Sequence, residues 1–150
     1  MRVLLKTSRN MEVISYDYQY DLMKLLHKWL GRNRIHDEIS LYSFSWLMGA
    51  KRLSNGLNFP DGSIWFISFW DDKNIKKVIS GILDDPDMFS GMEVKEVVIQ
   101  ETPHFKSEER FFSASPILIR KYDDNGVAKY VLFDNPESGV LMTETLNSKF

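Results

Sequence analysis

The side chains best suited to chemistry in this sequence of 150 residues lie between Tyr16 and Arg52. This stretch holds His27 and His36, two of the three histidines, and its six Lys and Arg residues face four Asp and Glu residues. The six cations are Lys24, Lys28, Arg32, Arg34, Lys51 and Arg52. Histidine exchanges protons near neutral pH and cations bind phosphate, so any site for acid–base chemistry on an anionic substrate is expected here.

An amphipathic helix and a polar loop are predicted to position the two histidines. Apolar residues recur at spacings of three and four and share one helical face: Tyr18, Leu22, Leu25, Leu26, Trp29 and Leu30. Gly31 follows as a stop signal. His27 falls roughly 140° from the middle of that face, so it should face solvent or a ligand. His36 falls in a loop over residues 32–40, before a predicted strand over Leu41–Ala50 that places Tyr42, Phe44 and Trp46 on one side.

The remaining elements complete a recognisable order. Strands are predicted over Arg2–Thr7, Ser63–Trp70 and Val94–Gln100, and a second helix starts at Asp71–Asp72 and ends before Pro86. The apolar face of that helix comprises Ile75, Val78, Ile79, Ile82 and Leu83. The order β-α-β-β-α-β predicts an α+β, ferredoxin-like (RRM-like) fold with both helices on one face of an antiparallel sheet.

The C-terminal part is predicted to add a β-hairpin to this fold. Residues 111–121 and 129–133 read as its strands, joined by the turn sequence at residues 123–126. We expect one domain over residues 1–134, and we expect residues 135–150 to be a linker or the start of a second ferredoxin-like domain.

Composition narrows the function classes. The net charge of −2 argues against a protein that coats nucleic acid, although a local basic groove stays open. The chain has no cysteine, so disulfides, thiolate zinc sites and a cysteine nucleophile are excluded. No apolar run is long enough for a bilayer and no secretory signal is recognisable, so we expect a cytoplasmic protein with no membrane partner. Neither the RNA-recognition-motif signature nor a Walker, dinucleotide-binding or metalloprotease motif occurs.

Several short segments, in this order, resemble the CRISPR repeat-cleaving endoribonucleases, the RAMP-type enzymes that process precursor CRISPR RNA. No one of them is specific, but their joint order and spacing extend along about 145 residues, a span that corresponds to the N-terminal part of the family. The segments are Arg2–Lys6, Tyr16–Tyr20, His36 eight residues before Phe44, Phe44–Trp46, Trp65–Ser68, Ser80–Leu83 and Phe112–Ile117.

This resemblance implies metal-independent cleavage of repeat RNA, in which the ribose 2′-OH attacks the adjacent phosphate and leaves a 2′,3′-cyclic phosphate. It implies no cofactor, repeat RNA as the partner, and further CRISPR effector subunits or a second copy of the chain as additional partners. His36 falls where members often carry their catalytic histidine, and His27 falls where some carry a helix tyrosine that completes the site. The six cations named above would bind the RNA.

Two features depart from the family pattern. Tyr42 occupies the position, six residues after His36, where some members carry a lysine. The family also continues into a second ferredoxin-like domain with a glycine-rich loop. We therefore expect the 150 residues to be the N-terminal part of a longer protein, with impaired RNA binding and slow or absent cleavage on their own.

Alternatives from other classes stay open. The chain could be a non-catalytic RNA-binding subunit of a CRISPR complex on the same fold, or a small-molecule or protein-interaction module with an accidental family likeness. A metal enzyme is the least favoured, because the three histidines lack His-x-x-x-His spacing. Each named residue also has a structural interpretation: the histidines and cations as solvated surface groups, and the strand aromatics as core. His104, between Pro103 and Phe105, is expected to be structural or merely exposed.

Overall fold

The protein is described here by a computed structural model that covers residues 1–31, 42–106, 108, 110, 112, 119–123 and 125–147. Its contacts divide the chain into two compact units, Met1–Glu109 and Arg110–Phe150. This division groups the C-terminal hairpin with the residues that follow it. It differs from the predicted domain boundary after residue 134, which stays a prediction.

The first unit is built on a four-stranded antiparallel sheet and two helices. Its elements are β1 (Arg2–Thr7), α1 (Gln19–Leu30), β2 (Tyr42–Phe44), β3 (Lys51–Leu53), β4 (Gly56–Asn58), β5 (Ile64–Phe69), α2 (Asp72–Asp84) and β6 (Val94–Gln100). The sheet has the order β2-β5-β1-β6 with every neighbouring pair antiparallel. This is the ferredoxin-like arrangement that the element order predicted, so the fold class is confirmed.

One face of the sheet and the apolar faces of the helices form the core. Val3 and Leu5 are fully buried in β1 while Arg2 and Lys6 on its other side are exposed, because successive strand residues point to opposite faces. The predicted aromatic core is present, and it includes Tyr18, Trp29, Phe59, Trp65 and Phe69. All six apolar residues predicted for the first helix are buried.

The second helix begins and ends as the sequence predicted, but its apolar face is narrower. The Asp71 carboxylate accepts a hydrogen bond from the Lys73 backbone N–H at 2.9 Å and so caps the helix. Ile82 is buried, whereas Leu83 is 76% exposed. The assignment of Leu83 to the buried face was therefore wrong, because one step along the helix turns a side chain by about 100° away from Ile82 and from the core.

The strand predicted over residues 41–50 was too long. Regular pairing ends at Phe44, which faces Ile67, and the next paired position, Met48 opposite Ile64, is shifted by one residue. A one-residue shift moves later side chains to the opposite face of a sheet. Ser45 is accordingly buried while Trp46, predicted on the same side as Phe44, is partly exposed.

A small hairpin, for which the sequence analysis predicted no strands, follows this irregular segment. β3 and β4 pair around the turn residues Ser54 and Asn55, and Ile14 bonds to Leu57 on the other side of β4. A Cβ atom at Gly56 would lie 2.7 Å from the Val13 side chain and closer still to the Ile14 carbonyl oxygen. Only glycine fits this close approach, which holds the segment before α1 against the hairpin.

The second unit contains a hairpin and a helix. Its elements are β7 (Ile119–Tyr122), β8 (Ala128–Val131) and α3 (Ser138–Asn147). The two strands pair in register from Ile119 opposite Val131 to Tyr122 opposite Ala128, so the predicted C-terminal hairpin is present. Within the described residues, no helix is both long enough and apolar enough to cross a bilayer.

Candidate functional site

His27 lies near the C-terminal end of α1, where the helix passes the edge strand β2. Its Nε2 atom is 3.5 Å from the Tyr42 hydroxyl oxygen, and the two rings meet edge to face with centroids 6.3 Å apart. The imidazole is half-buried. The sequence predicted that His27 faces solvent or a ligand, but the Tyr42 side chain of β2 lies against part of its ring.

Tyr42 is held in place by its own aromatic neighbours. Its ring stacks on Phe44 at a centroid distance of 6.4 Å and lies 5.8 Å from the ring of Phe69. A phenol fixed by packing presents its hydroxyl in one place, where it can donate to an anionic oxygen or bond to an imidazole nitrogen. It supplies a donor at this position but no positive charge.

The predicted catalytic His36 lies outside the described residues, as do Arg32 and Arg34. Their segment connects α1 to β2, the two elements that bring His27 and Tyr42 together. The roles of these three residues stay predictions.

The two predicted cations on α1 have partners within the protein. The Lys28 ammonium is 2.7 Å from the Asp85 carboxylate and donates to the Asp87 carbonyl oxygen at 3.0 Å, so it ties α1 to the end of α2. This hydrogen bond lowers the pKa of Asp85. Lys24 lies 3.8 Å from the Asp21 carboxylate. Exposed ion pairs contribute little energy, so Lys24 can exchange its partner for a phosphate more readily than the doubly bonded Lys28.

Lys51 and Arg52 lie in β3, towards the opposite end of α1. Arg52 donates from Nε to the Tyr16 hydroxyl at 3.3 Å, just before that helix starts. The helical rise places Tyr18 and His27 roughly 14 Å apart along the axis. The structure therefore separates the predicted site into a histidine end and a hairpin end.

Two cavities of the structure are lined by residues other than His27. A cavity of about 420 Å³ lies in the second unit between the hairpin and Glu137, and another of about 310 Å³ lies beside Lys6 and Ile64. Neither is lined by His27. No three His, Asp or Glu side chains in the described part of the chain approach closely enough to share a metal ion.

The sequence analysis did not identify Tyr42, which contacts His27, or Tyr16, which contacts Arg52, as site residues. Tyr42 was noted only as a departure from the family pattern, and Tyr16 only as the start of a matching segment. The Asn55-Gly56 dipeptide is a strong hairpin signal and could have placed Arg52 on a strand. Nothing in the sequence indicates that Tyr16 would meet that strand.

Comparison of the sequence with protein-family models and with curated proteins gives no match. Solved structures do match the fold. A Cas6-related protein from Pyrococcus furiosus aligns over 97% of this chain and 68% of its own, with a TM-score of 0.84 and 19% identity. A CRISPR-associated protein Cas6 aligns over 99% and 69%, with a TM-score of 0.75 and 23% identity.

A third solved structure, a RAMP protein that binds different RNA substrates, aligns over 95% of this chain and 66% of its own. Its TM-score is 0.72 and its identity is 18%. At these identities the likeness establishes the fold, and the chain spans about two thirds of the length of these proteins.

Proposed function

We propose that this chain binds CRISPR repeat RNA and, on its own, cleaves it slowly and without a metal ion, with His36 and His27 as the residues that transfer protons. The observation that carries the proposal is the fold, which is shared with a Cas6 protein and with an RNA-binding RAMP protein over nearly the whole chain. The resemblance of the sequence to the repeat-cleaving nucleases and the likeness of the fold to these proteins both support this proposal.

The proposed reaction is an internal transesterification. A base takes the proton of the ribose 2′-OH, and the 2′ oxygen forms a bond to the adjacent phosphorus. The bond from phosphorus to the 5′ oxygen breaks, and an acid gives that oxygen a proton. The products carry a 2′,3′-cyclic phosphate and a 5′-OH. Two imidazoles suit the two proton transfers because histidine titrates near the operating pH.

The surroundings of His27 support its part in this reaction. The ring is half-buried, and the Tyr42 hydroxyl oxygen lies 3.5 Å from its Nε2 atom. The segment that carries His36 joins the same two elements. The Tyr42 hydroxyl can donate to charge that develops on the phosphate, but a neutral donor stabilises that charge less than the lysine of some family members would.

Binding of the RNA is assigned to the cations predicted from the sequence. Lys51 and Arg52 are the strongest candidates, because no carboxylate in the described residues pairs with either one. Lys24 is a secondary candidate, together with Arg32 and Arg34. Lys28 mainly stabilises the contact between the helices.

Cleavage of a repeat RNA in EDTA tests the proposal. We expect products with 2′,3′-cyclic phosphate ends, no cutting when the scissile nucleotide is 2′-deoxy, and at least a hundredfold slower single-turnover cleavage for His27→Ala or His36→Ala. His104→Ala is the matched control, because this histidine lies exposed in a connection and should leave the rate unchanged. Cleavage of the 2′-deoxy RNA, or a requirement for Mg²⁺, would refute the mechanism.

A second candidate function is a non-catalytic RNA-binding subunit of a CRISPR complex. The observation that favours it is Tyr42, which stands where some family members carry a lysine. In this case the chain binds repeat RNA and leaves it intact, and His36→Ala changes neither affinity nor product. The EDTA experiment separates the two candidates.

A further inference from the structure

Tyr16, Lys51, Arg52 and Leu53 form a small exposed surface on the β3–β4 hairpin, which we call the Tyr16 cluster. The Tyr16 hydroxyl donates to the Leu53 carbonyl oxygen and accepts from Arg52 Nε at 3.3 Å. The guanidinium carbon of Arg52 lies 5.6 Å from the centre of the Tyr16 ring. These bonds hold the ring by its edge while 43% of the residue stays exposed. The tyrosine is thus fixed in one orientation with its ring accessible.

The charge of this cluster is not balanced within the described part of the chain. Lys51 and Arg52 make no ion pair there, whereas Lys6 and Lys95 each pair with a glutamate. The acid nearest to Tyr16 in sequence is Asp17. Its carboxylate accepts a hydrogen bond from the Ser15 hydroxyl, and this bond lowers the pKa of Asp17. The carboxylate of Asp17 therefore places a negative charge directly after Tyr16 in the chain.

An accessible ring beside two uncompensated cations matches the chemistry of an unpaired nucleotide. The flat face of a base stacks on an aromatic ring, and phosphates bind Lys and Arg. An acidic peptide would use the cations but would gain little from the ring. A double-stranded RNA would offer phosphates without an accessible base.

We propose that the Tyr16 cluster binds single-stranded RNA by stacking one unpaired base on Tyr16 while Lys51 and Arg52 contact the neighbouring phosphates. This inference rests on the proposed function and specifies the form of RNA that the hairpin end recognises. The helical rise from Tyr18 to His27 alone is roughly 14 Å, the length of about four nucleotides of a stacked strand. The base bound here thus lies several nucleotides from the scissile phosphate.

Fluorescence anisotropy with the full 150-residue chain and a fluorescein-labelled single-stranded adenosine 12-mer tests the inference. Tyr16→Leu removes the ring and should weaken binding about tenfold, whereas Tyr16→Phe keeps the ring and should stay within about threefold. Lys51→Ala should also weaken binding, and Asp17→Asn should strengthen it about twofold. Thermal unfolding of each variant establishes that the fold is kept.

The chain offers a matched control in its second unit. Tyr122 is also exposed and has Arg120 5.2 Å from its ring centre, but the adjacent Lys121 and Lys129 are paired with Glu137 and Asp123. Tyr122→Leu should leave RNA affinity unchanged. An equal loss in Tyr122→Leu, or an equal loss in Tyr16→Phe and Tyr16→Leu, would overturn the stacking assignment. Tighter binding of a labelled glutamate 12-mer than of RNA would instead assign the cluster to an acidic protein.

Failure of this inference is distinguishable from failure of the proposed function. A wild-type chain that binds RNA with no effect of Tyr16→Leu would refute only the Tyr16 cluster. A wild-type chain with no affinity for any RNA would refute both. If cleavage is active, Tyr16→Leu should raise the KM of repeat RNA with an unchanged kcat, which is the opposite of the pattern expected for His27→Ala.

Discussion

The imidazole of His27 and the phenol of Tyr42 form a close pair of polar groups at the predicted RNA site. His27 lies in α1, and Tyr42 lies in β2 fifteen residues later in the sequence. Packing against Phe44 and Phe69 fixes the phenol. A hydroxyl near an imidazole nitrogen orients the ring and influences which nitrogen carries the proton. We therefore expect Tyr42 to position the imidazole of His27.

Tyr42→Phe removes only this hydroxyl and keeps the aromatic packing. We expect kcat for repeat RNA to fall about tenfold with KM within twofold, and the pH dependence of kcat to shift, because the imidazole loses a hydrogen-bonding partner. Single-turnover cleavage between pH 5 and 9 measures both effects. Tyr20→Phe, an exposed tyrosine on the same helix, is the control. An unchanged pH profile would show that Tyr42 has no influence on His27.

The Lys28–Asp85 ion pair makes the stability of the protein depend on pH. The ammonium lowers the pKa of Asp85 below its ordinary value of 3.8, so the folded state favours the ionised carboxyl. Its contribution is present above the unfolded pKa and is lost as the pH falls through the folded pKa. Lys28→Met should therefore flatten the loss of stability on acidification below about pH 4.

Urea midpoints at pH 6, 4 and 3 measure this effect. The two proteins should differ most at pH 6 and least at pH 3. Parallel curves at all three pH values would contradict the role given to Lys28. RNA affinity should respond less to Lys28→Met than to Lys51→Met, because Lys28 is already occupied by Asp85.

At the scale of elements, the contact between α1 and α2 depends on a glycine. A Cβ atom at Gly81 would lie 2.6 Å from the Trp29 Cα atom, so the helix backbones approach closely there. Trp29 also donates from its indole nitrogen to the Asp85 carbonyl oxygen at 2.8 Å. The Ser80–Leu83 segment that resembles the nuclease family thus has a packing role.

Gly81→Ala should destabilise the protein by about 1–3 kcal/mol, because the helices must separate to admit the methyl group. Chemical denaturation followed by tryptophan fluorescence measures the change. Gly139→Ala in α3 is the control, since no atom lies within 4 Å of the position of its Cβ. The control should be neutral or slightly stabilising. An equal effect of both substitutions would disprove the packing argument.

At the scale of the whole molecule, the buried cluster of the described residues lies in the first unit. Every residue of this buried cluster lies between Val3 and Val94, whereas the second unit begins at Arg110. The sheet, both packed helices and the His27–Tyr42 pair are likewise contained in the first unit. Among the described residues, none from the hairpin or α3 belongs to this cluster.

A fragment of residues 1–109 should unfold cooperatively, with near-ultraviolet circular dichroism like that of the full chain, because all core aromatics are retained. The comparison is a fragment of residues 1–134, which ends at the boundary predicted from the sequence. If only the longer fragment unfolds cooperatively, the hairpin belongs to the folding unit and the predicted boundary holds.

The amino-acid sequence by itself determined the elements whose information is local. The apolar run of β1, the apolar stripe of α1 and the Asp71 cap are patterns within a few residues, and their order was sufficient for the ferredoxin-like fold. The register shift after Phe44 was not predictable in this way, because it arises in the pairing with β5.

Only the tertiary structure decided which candidate residues meet. Tyr42 of β2 lies beside His27 of α1 in the folded chain, and Tyr16 meets Arg52 across 36 residues of sequence because a hairpin folds back on the segment before the helix. The six cations looked equivalent in the sequence, yet Lys28 is engaged with Asp85 whereas Lys51 and Arg52 are not. Charge and residue type are properties of the chain, but their pairing depends on contacts between distant segments, which no local pattern encodes.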